Sequence, residues 1–134
     1  MDVAGALRYL VTKALVGRLD VVEALYRYFV EWKSPSEIVA ELGIPRHSLS
    51  GYIQRIRERV PHRVAERLLR AARPYLARIR PVIARDGSLY RCRLCGAEFT
   101  SEVGAEDHVR AVHSDVVDEL VSAVAWLALR RVRA

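Results

Sequence analysis

In RCRLCGAEFTSEVGAEDHVRAVH, residues 91–113, two cysteines and two histidines recur as C-x2-C-x12-H-x4-H. Nothing else in the chain limits its folding as tightly. Thiolates and imidazoles at this spacing close a tetrahedral zinc site, so Cys92, Cys95, His108 and His113 are expected to bind one zinc ion per chain. The paired cysteines with downstream histidines read as a metal site and not as a disulfide, given the cytoplasmic location argued below. Just upstream, PVIAR and SLYRC flank a tight Asp86–Gly87 turn and predict a hairpin of two strands.

With Tyr90 and Phe99 in register beside those four residues, the segment from about 90 to 113 resembles the two-cysteine, two-histidine zinc-finger family. The resemblance implies a small ββα unit. It also implies three base-reading positions on the finger's helix, which fall on Ser101, Gly104 and Asp107. None is the Arg, Asn or Gln that dominates base contacts, and Glu102 and Glu106 beside them repel phosphate. Two departures thin the unit: Ala105 stands where the family keeps a leucine, and Gly104 weakens the helix. The finger is therefore expected to be structural, or to offer its acidic face to a protein partner, and not to enter a groove.

Charge is distributed in three blocks. Residues 1–45 carry a net −1, residues 46–93 carry thirteen arginines against Glu58, Glu66 and Asp86, and residues 94–134 carry a net −3. The middle block, at +10, is the electrostatic footprint of a polyanion partner. Asparagine is absent and Gln54 is the single glutamine, a bias that fits a hyperthermophile, archaeal or from an archaeal virus. Half the residues are apolar, enough for a folded core in one domain or two small ones. The longest uncharged apolar run, LVSAVAWLAL at 120–129, is too short to span a bilayer, and the start of the chain lacks a signal-peptide layout. A cytoplasmic protein without a membrane partner is expected. No nucleophile–base constellation or phosphate-cradling loop is present, and four protein ligands leave zinc no open position, so no enzyme is expected.

The middle block begins with SPSEIVAELGIPRHSLSGYIQRI, residues 34–56. Ser34 and Glu37 form a capping box with Pro35 at the first helical position. Ile38 and Leu42 share a face, Gly43 suits a left-handed turn, and Ile44 plugs it. A second helix from about Pro45 buries Leu49, Tyr52 (or Ile53) and Ile56. This pattern, over about 34–59, resembles the helix-turn-helix DNA-binding family, with Val39 departing from the small residue the family prefers. The resemblance implies a recognition helix at about 45–59 whose N-terminal end enters the major groove of double-stranded DNA. Base contacts then fall on Arg46, His47, Ser50 and Gln54, with Gly51 allowing close approach. Arg46 suits guanine and Gln54 adenine. Phosphate contacts fall on Arg55, Arg57 and Arg59, and on a following stripe of Arg63, Arg67 and Arg70.

Two amphipathic helices precede this unit, at about 2–16 (Leu7, Leu10, Val11, Leu15) and 20–32 (Val22, Leu25, Tyr26, Phe29). Another opens at Pro61 and turns Val64, Leu68, Ala72 and Tyr75 inward, with Pro74 kinking or ending it. After His113, a helix with acids first and arginines last is apolar nearly all round in its middle, so it should be buried. It either packs on the N-terminal helices or forms a homodimer seam anchored by Trp126. The expected architecture is mainly α: a helical domain at 1–80, a finger with its hairpin strand at 81–113, and a buried C-terminal helix at 114–134. The function that follows is sequence-specific transcription regulation. An RNA- or ribosome-associated zinc-binding factor and a protein–protein adaptor are the alternatives.

Overall fold

A computed structural model describes residues 1–133 of the chain, and side chains through Arg130. The protein is mainly helical, with seven helices and one three-stranded antiparallel sheet among the described residues. Helices α1 (Val3–Leu15) and α2 (Leu19–Phe29) form the first pair. The apolar stripe of α1 is buried at Leu7, Leu10, Val11 and Leu15, against Val21, Val22, Leu25 and Phe29 of α2. Helix α3 (Pro35–Leu42) starts on the expected capping box: Ser34 Oγ accepts from the Glu37 amide, and the Glu37 carboxylate accepts from the Ser34 amide. Gly43, at φ 70°, ends it in the left-handed region where a Cβ is costly, and Ile44 behind it is buried.

Helix α4 (Arg46–Arg57) buries Leu49, Ile53 and Ile56. Of the two candidates for its middle turn, Ile53 enters the core and Tyr52 stays half-buried. Helix α5 (His62–Leu76) runs on through Pro74 and stops two residues later. Its buried face is wider than expected: Ala65, Leu69 and Leu76 join Leu68 and Ala72, while Val64 and Tyr75 sit at the margin. The reason is that α5 is covered from three sides, by α1, by α2 and by α7 (Ser114–Arg133).

The sheet runs β1 (Ile83–Asp86), β2 (Leu89–Cys92) and β3 (Glu98–Phe99). Asp86 pairs with Leu89, so the hairpin loop is Gly87–Ser88, one residue later than expected. Gly87 supplies the positive φ that a two-residue loop needs, and Asp86 remains in the strand. The sheet is tied to the helices by its backbone: Val82 N–H donates to the Leu15 carbonyl and Arg93 N–H to the Val82 carbonyl, both at 2.7 Å. Helix α6 (Glu102–Val112) follows, with Ser101 Oγ accepting from the Gly104 amide as its N-cap. Gly104 thus lies in the first turn, where its missing side chain lets the cap close, and not in the helix interior.

Helix α7 returns to α1 and α5, burying Val117, Val124 and Ala128. The expected complete burial does not hold in the single chain. Trp126 is 63% exposed, and Leu127 and Leu129 also face solvent, so the Trp126 anchor is not in the core. One helix packed on one side of a bundle has only one stripe to bury, and the surplus apolar residues stay outside. The arginines beyond Arg130 lie outside the described side chains. Cys92, Ala105, Val109 and Val117 belong to the same continuous buried cluster as the residues of α1, α2 and α5. No helix among the described residues is long and apolar enough to cross a membrane.

Candidate metal centre and basic helical face

The four residues expected to hold metal converge. Cys92 ends β2 and is buried, and its carbonyl accepts from the Gly96 amide in the turn that carries Cys95. Gly96 at φ 80° makes that reversal possible. The Cys92 amide donates to the Ala97 carbonyl and locks the loop shut. His108 comes from the body of α6 and His113 from its C-terminal end. Cys92 Sγ lies 3.5 Å from His113 Nε2 and Cys95 Sγ lies 3.2 Å from His108 Nε2. One donor atom from each of the four falls within 4.8 Å of every other. Donors about 2.0–2.3 Å from a tetrahedral ion stand roughly 3.3–3.8 Å apart, so the two Cys–His pairs lie close to that spacing and the widest separation has to contract for the four to close on one ion. The Phe99 ring packs on His108 at 4.8 Å and the His113 ring meets it at 5.0 Å, which fixes the imidazole planes.

The acids of α6 have a use that the sequence reading missed. Glu106 pairs with Lys13 of α1 at 2.8 Å, with both side chains largely buried. Lys13 is further flanked by the rings of Tyr9 and Tyr52 at 5.4 and 5.3 Å. Glu102 reaches Arg18 at 2.6 Å. Hydrogen bonds that Arg18 donates to Asp20 first, and then to Glu102, hold its guanidinium well above its ordinary pKa. Glu102 and Glu106 therefore bind α6 to the N-terminal helices and do not form a free acidic docking face; a partner there would have to displace both pairs. Only Asp107 stays exposed, bonded to Arg110 at 2.9 Å within its own helix. The available signal was the i, i+4 spacing of Glu102 and Glu106, which puts two carboxylates on one face of α6. Burial also acts on the neighbouring Tyr9, pushing its hydroxyl up to about 12 against the opposing pull of Arg55.

The outward face of α4 holds the residues expected to read bases. Arg46, His47, Ser50, Gly51 and Gln54 are all exposed. Arg46 donates to Ser36 Oγ of α3 at 2.8 Å, and Gln54 donates weakly to Glu58 at 3.3 Å. Space around Gly51 is open to more than 4 Å. The arginines expected to hold phosphate divide into two groups. Arg55, Arg57, Arg63, Arg67 and Arg70 are exposed, and among the described residues only Arg70 of these has an acidic partner, Glu66, at 3.2 Å. Arg57 lies over the Tyr28 ring at 5.2 Å and donates to its hydroxyl. Arg59 is half-buried, folded over Tyr9 and donating to the Arg55 carbonyl, which makes it a packing residue first. Arg73, not expected to matter, makes a bidentate pair with Glu23 at 2.7 and 2.9 Å that ties α5 to α2. Comparison of the chain with protein-family models, with curated proteins and with solved structures finds no match.

Proposed function

We propose that the protein is a sequence-specific double-stranded DNA-binding regulator. In this reading α3, the Gly43 turn and α4 are its helix-turn-helix head, and a zinc-loaded finger is its scaffold. One observation carries the reading: Glu102 and Glu106 of α6 are paired with Arg18 and Lys13, while the exposed arginines of α4 and α5 stay largely without acidic partners among the described residues. Arg46 then addresses guanine and Gln54 adenine, and Ser50 and Gly51 keep the approach clear. Arg55, Arg57, Arg63 and Arg67 hold phosphates and set the register. Zinc, held by all four ligands, would join the sheet to α6 and take no part in chemistry.

The exposed Trp126, Leu127 and Leu129 favour a second copy across α7. An antiparallel pairing sets Asp115 and Glu119 of one copy opposite Arg130 of the other. Selection of bound duplexes from a random pool at two salt concentrations tests both parts. A recovered motif is expected, and a palindromic one if α7 pairs. Uniform, steeply salt-dependent binding with no motif overturns the regulator reading.

A further inference from the structure

Outside both sites, one residue breaks the backbone rules. Trp32 has φ 59°, the single non-glycine residue with positive φ among the described residues. It follows α2, where the Lys33 amide reaches back to the Arg27 carbonyl at 3.0 Å and closes the helix end. Glycine is the ordinary occupant of such a position, and a bulky side chain there is strained. A strained residue that also exposes the largest side chain in the chemical alphabet calls for a use other than folding. Trp32 is 69% exposed.

Its indole is not loose. It stacks on His62 at 4.2 Å between centroids and 27° between planes. His62 is itself anchored: its Nε2–H donates to the Phe29 carbonyl at 3.1 Å, and its ring rests on Phe29 at 4.9 Å. The row continues through Tyr28, 6.0 Å from His62, to Arg57 over Tyr28. Arg63, exposed, follows His62 in the first turn of α5. Lys33 is spent on Glu41 at 2.6 Å, and Glu31 is the acid adjacent in sequence. The result is a flat, presented aromatic face with Arg57 at the Tyr28 end and Arg63 next to His62 in the chain.

We propose that Trp32 on His62 is a stacking platform for an unpaired nucleobase just beyond the duplex whose phosphates Arg57 and Arg63 hold. Every base offers a π-face to such a platform, whereas a base inside a duplex is already covered on both sides. The proposal rests on the DNA-binding reading and extends it: the protein holds duplex on α4 and a single-stranded flank on Trp32. The protein would then prefer a duplex next to an opened or tailed segment.

The test uses the full chain with zinc and three versions of one two-stranded duplex of about 20 base pairs: blunt at both ends, with a four-thymidine tail, and with a tail of four abasic sites. In a Trp126→Phe background Trp32 is the sole tryptophan. The thymidine tail is expected to quench its fluorescence and to bind about 5- to 150-fold more tightly than the abasic tail, the range for one stacked base. Trp32→Ala and Trp32→Gly should erase that advantage without changing blunt-duplex binding, and Trp32→Phe should keep most of it. Glycine suits the local backbone, so a folding defect in the alanine variant leaves the glycine variant to decide. Equal affinity for thymidine and abasic tails overturns the platform while blunt-duplex binding keeps the DNA reading. No binding to any of the three overturns both.

Discussion

Replacing Glu106 with alanine leaves Lys13 buried without its carboxylate, and this tests how α6 is held to the helical body. At 2.8 Å and an effective dielectric of about 20, the gross attraction is roughly 6 kcal/mol. Desolvation of both groups offsets much of it, but removing one partner still costs about 3–5 kcal/mol because the other charge stays behind. The lower end applies here, since Tyr9 and Tyr52 keep their rings near the Lys13 ammonium. Arg110, the other neighbour of Glu106 at 3.5 Å, is exposed and loses little. A loss of about 3 kcal/mol, at roughly 2.1 cal/mol/K of unfolding entropy per residue over 134 residues, lowers Tm by about 10 °C. Thermal unfolding followed by circular dichroism on zinc-loaded protein reads this directly. The double variant Lys13→Met, Glu106→Leu removes both charges and should recover to within about 1 kcal/mol of the parent. A Glu106→Ala variant that melts within about 2 °C of the parent, or a double variant as unstable as the single, would refute the reasoning.

Elemental analysis should find one zinc per chain, and Cys95→Ser or chelation should remove on the order of 10 kcal/mol of apparent binding energy and unfold the sheet and α6. Because Cys92, Ala105 and Val109 share the core of α1 and α5, the helical body should melt earlier as well. Arg46→Ala or Gln54→Ala should lose about 1–3 kcal/mol at the selected site and relax specificity there, whereas Arg63→Ala or Arg67→Ala should weaken binding to all duplexes and reduce the salt slope by about one unit. Equal losses on every sequence for both classes would end the helix-turn-helix reading. Asp107→Asn, on an exposed residue outside the docking pairs, should leave both melting temperature and site preference unchanged. Tyr9, raised to about 12 in the folded protein, contributes fully below its ordinary pKa near 10, and that contribution is lost as pH climbs to 12. Tyr9→Phe should therefore flatten the alkaline fall in stability by about 2 kcal/mol, measured by denaturant titration at several pH values.

Local signals were legible in the chain because local chemistry produces them. The capping box at Ser34 and Glu37, the left-handed Gly43 and the convergence of the four side chains that could hold a metal ion each follow from spacing. What spacing does not encode is which faces meet across the fold. Apolar pattern shows that α7 has more hydrophobic surface than polar, but whether Trp126 enters a core depends on how many helices surround it, and here the packing is one-sided. The hairpin loop moved by one residue because Asp86–Gly87 and Gly87–Ser88 both suit a tight turn, and the Ile83–Cys92 pairing decides between them. Trp32 went unnoticed because nothing in sequence separates it from a helix-end aromatic; its φ and its stacking on His62 are tertiary facts.

The largest revision concerns the acids of α6, and it changes what the three charge blocks mean. Read along the chain, Glu102 and Glu106 seemed set against nucleic acid or toward a partner. Folded, they meet Arg18 and Lys13, while Asp118 of α7 meets Arg8 of α1. Three acids of the last block thus neutralise cations of the first block, and Glu98 faces Arg91 across the sheet, while among the described residues none pairs with the arginines of α4 and α5. Had Glu102 and Glu106 pointed the other way, they could have quenched the face formed by α4 and α5. Sequestering them against Lys13 of α1 and Arg18 at the start of α2 lets one polypeptide carry both signs of charge and still present arginines to solvent along one stretch. In the proposed function the finger then acts on DNA without touching it: the metal holds α6 in place, and α6 keeps its own negative charge out of the field that a phosphate backbone would meet. This makes a specific demand on metal loss. Freeing α6 should release two carboxylates next to the basic face, so partially demetallated protein should bind duplex more weakly than its residual helical content alone would allow.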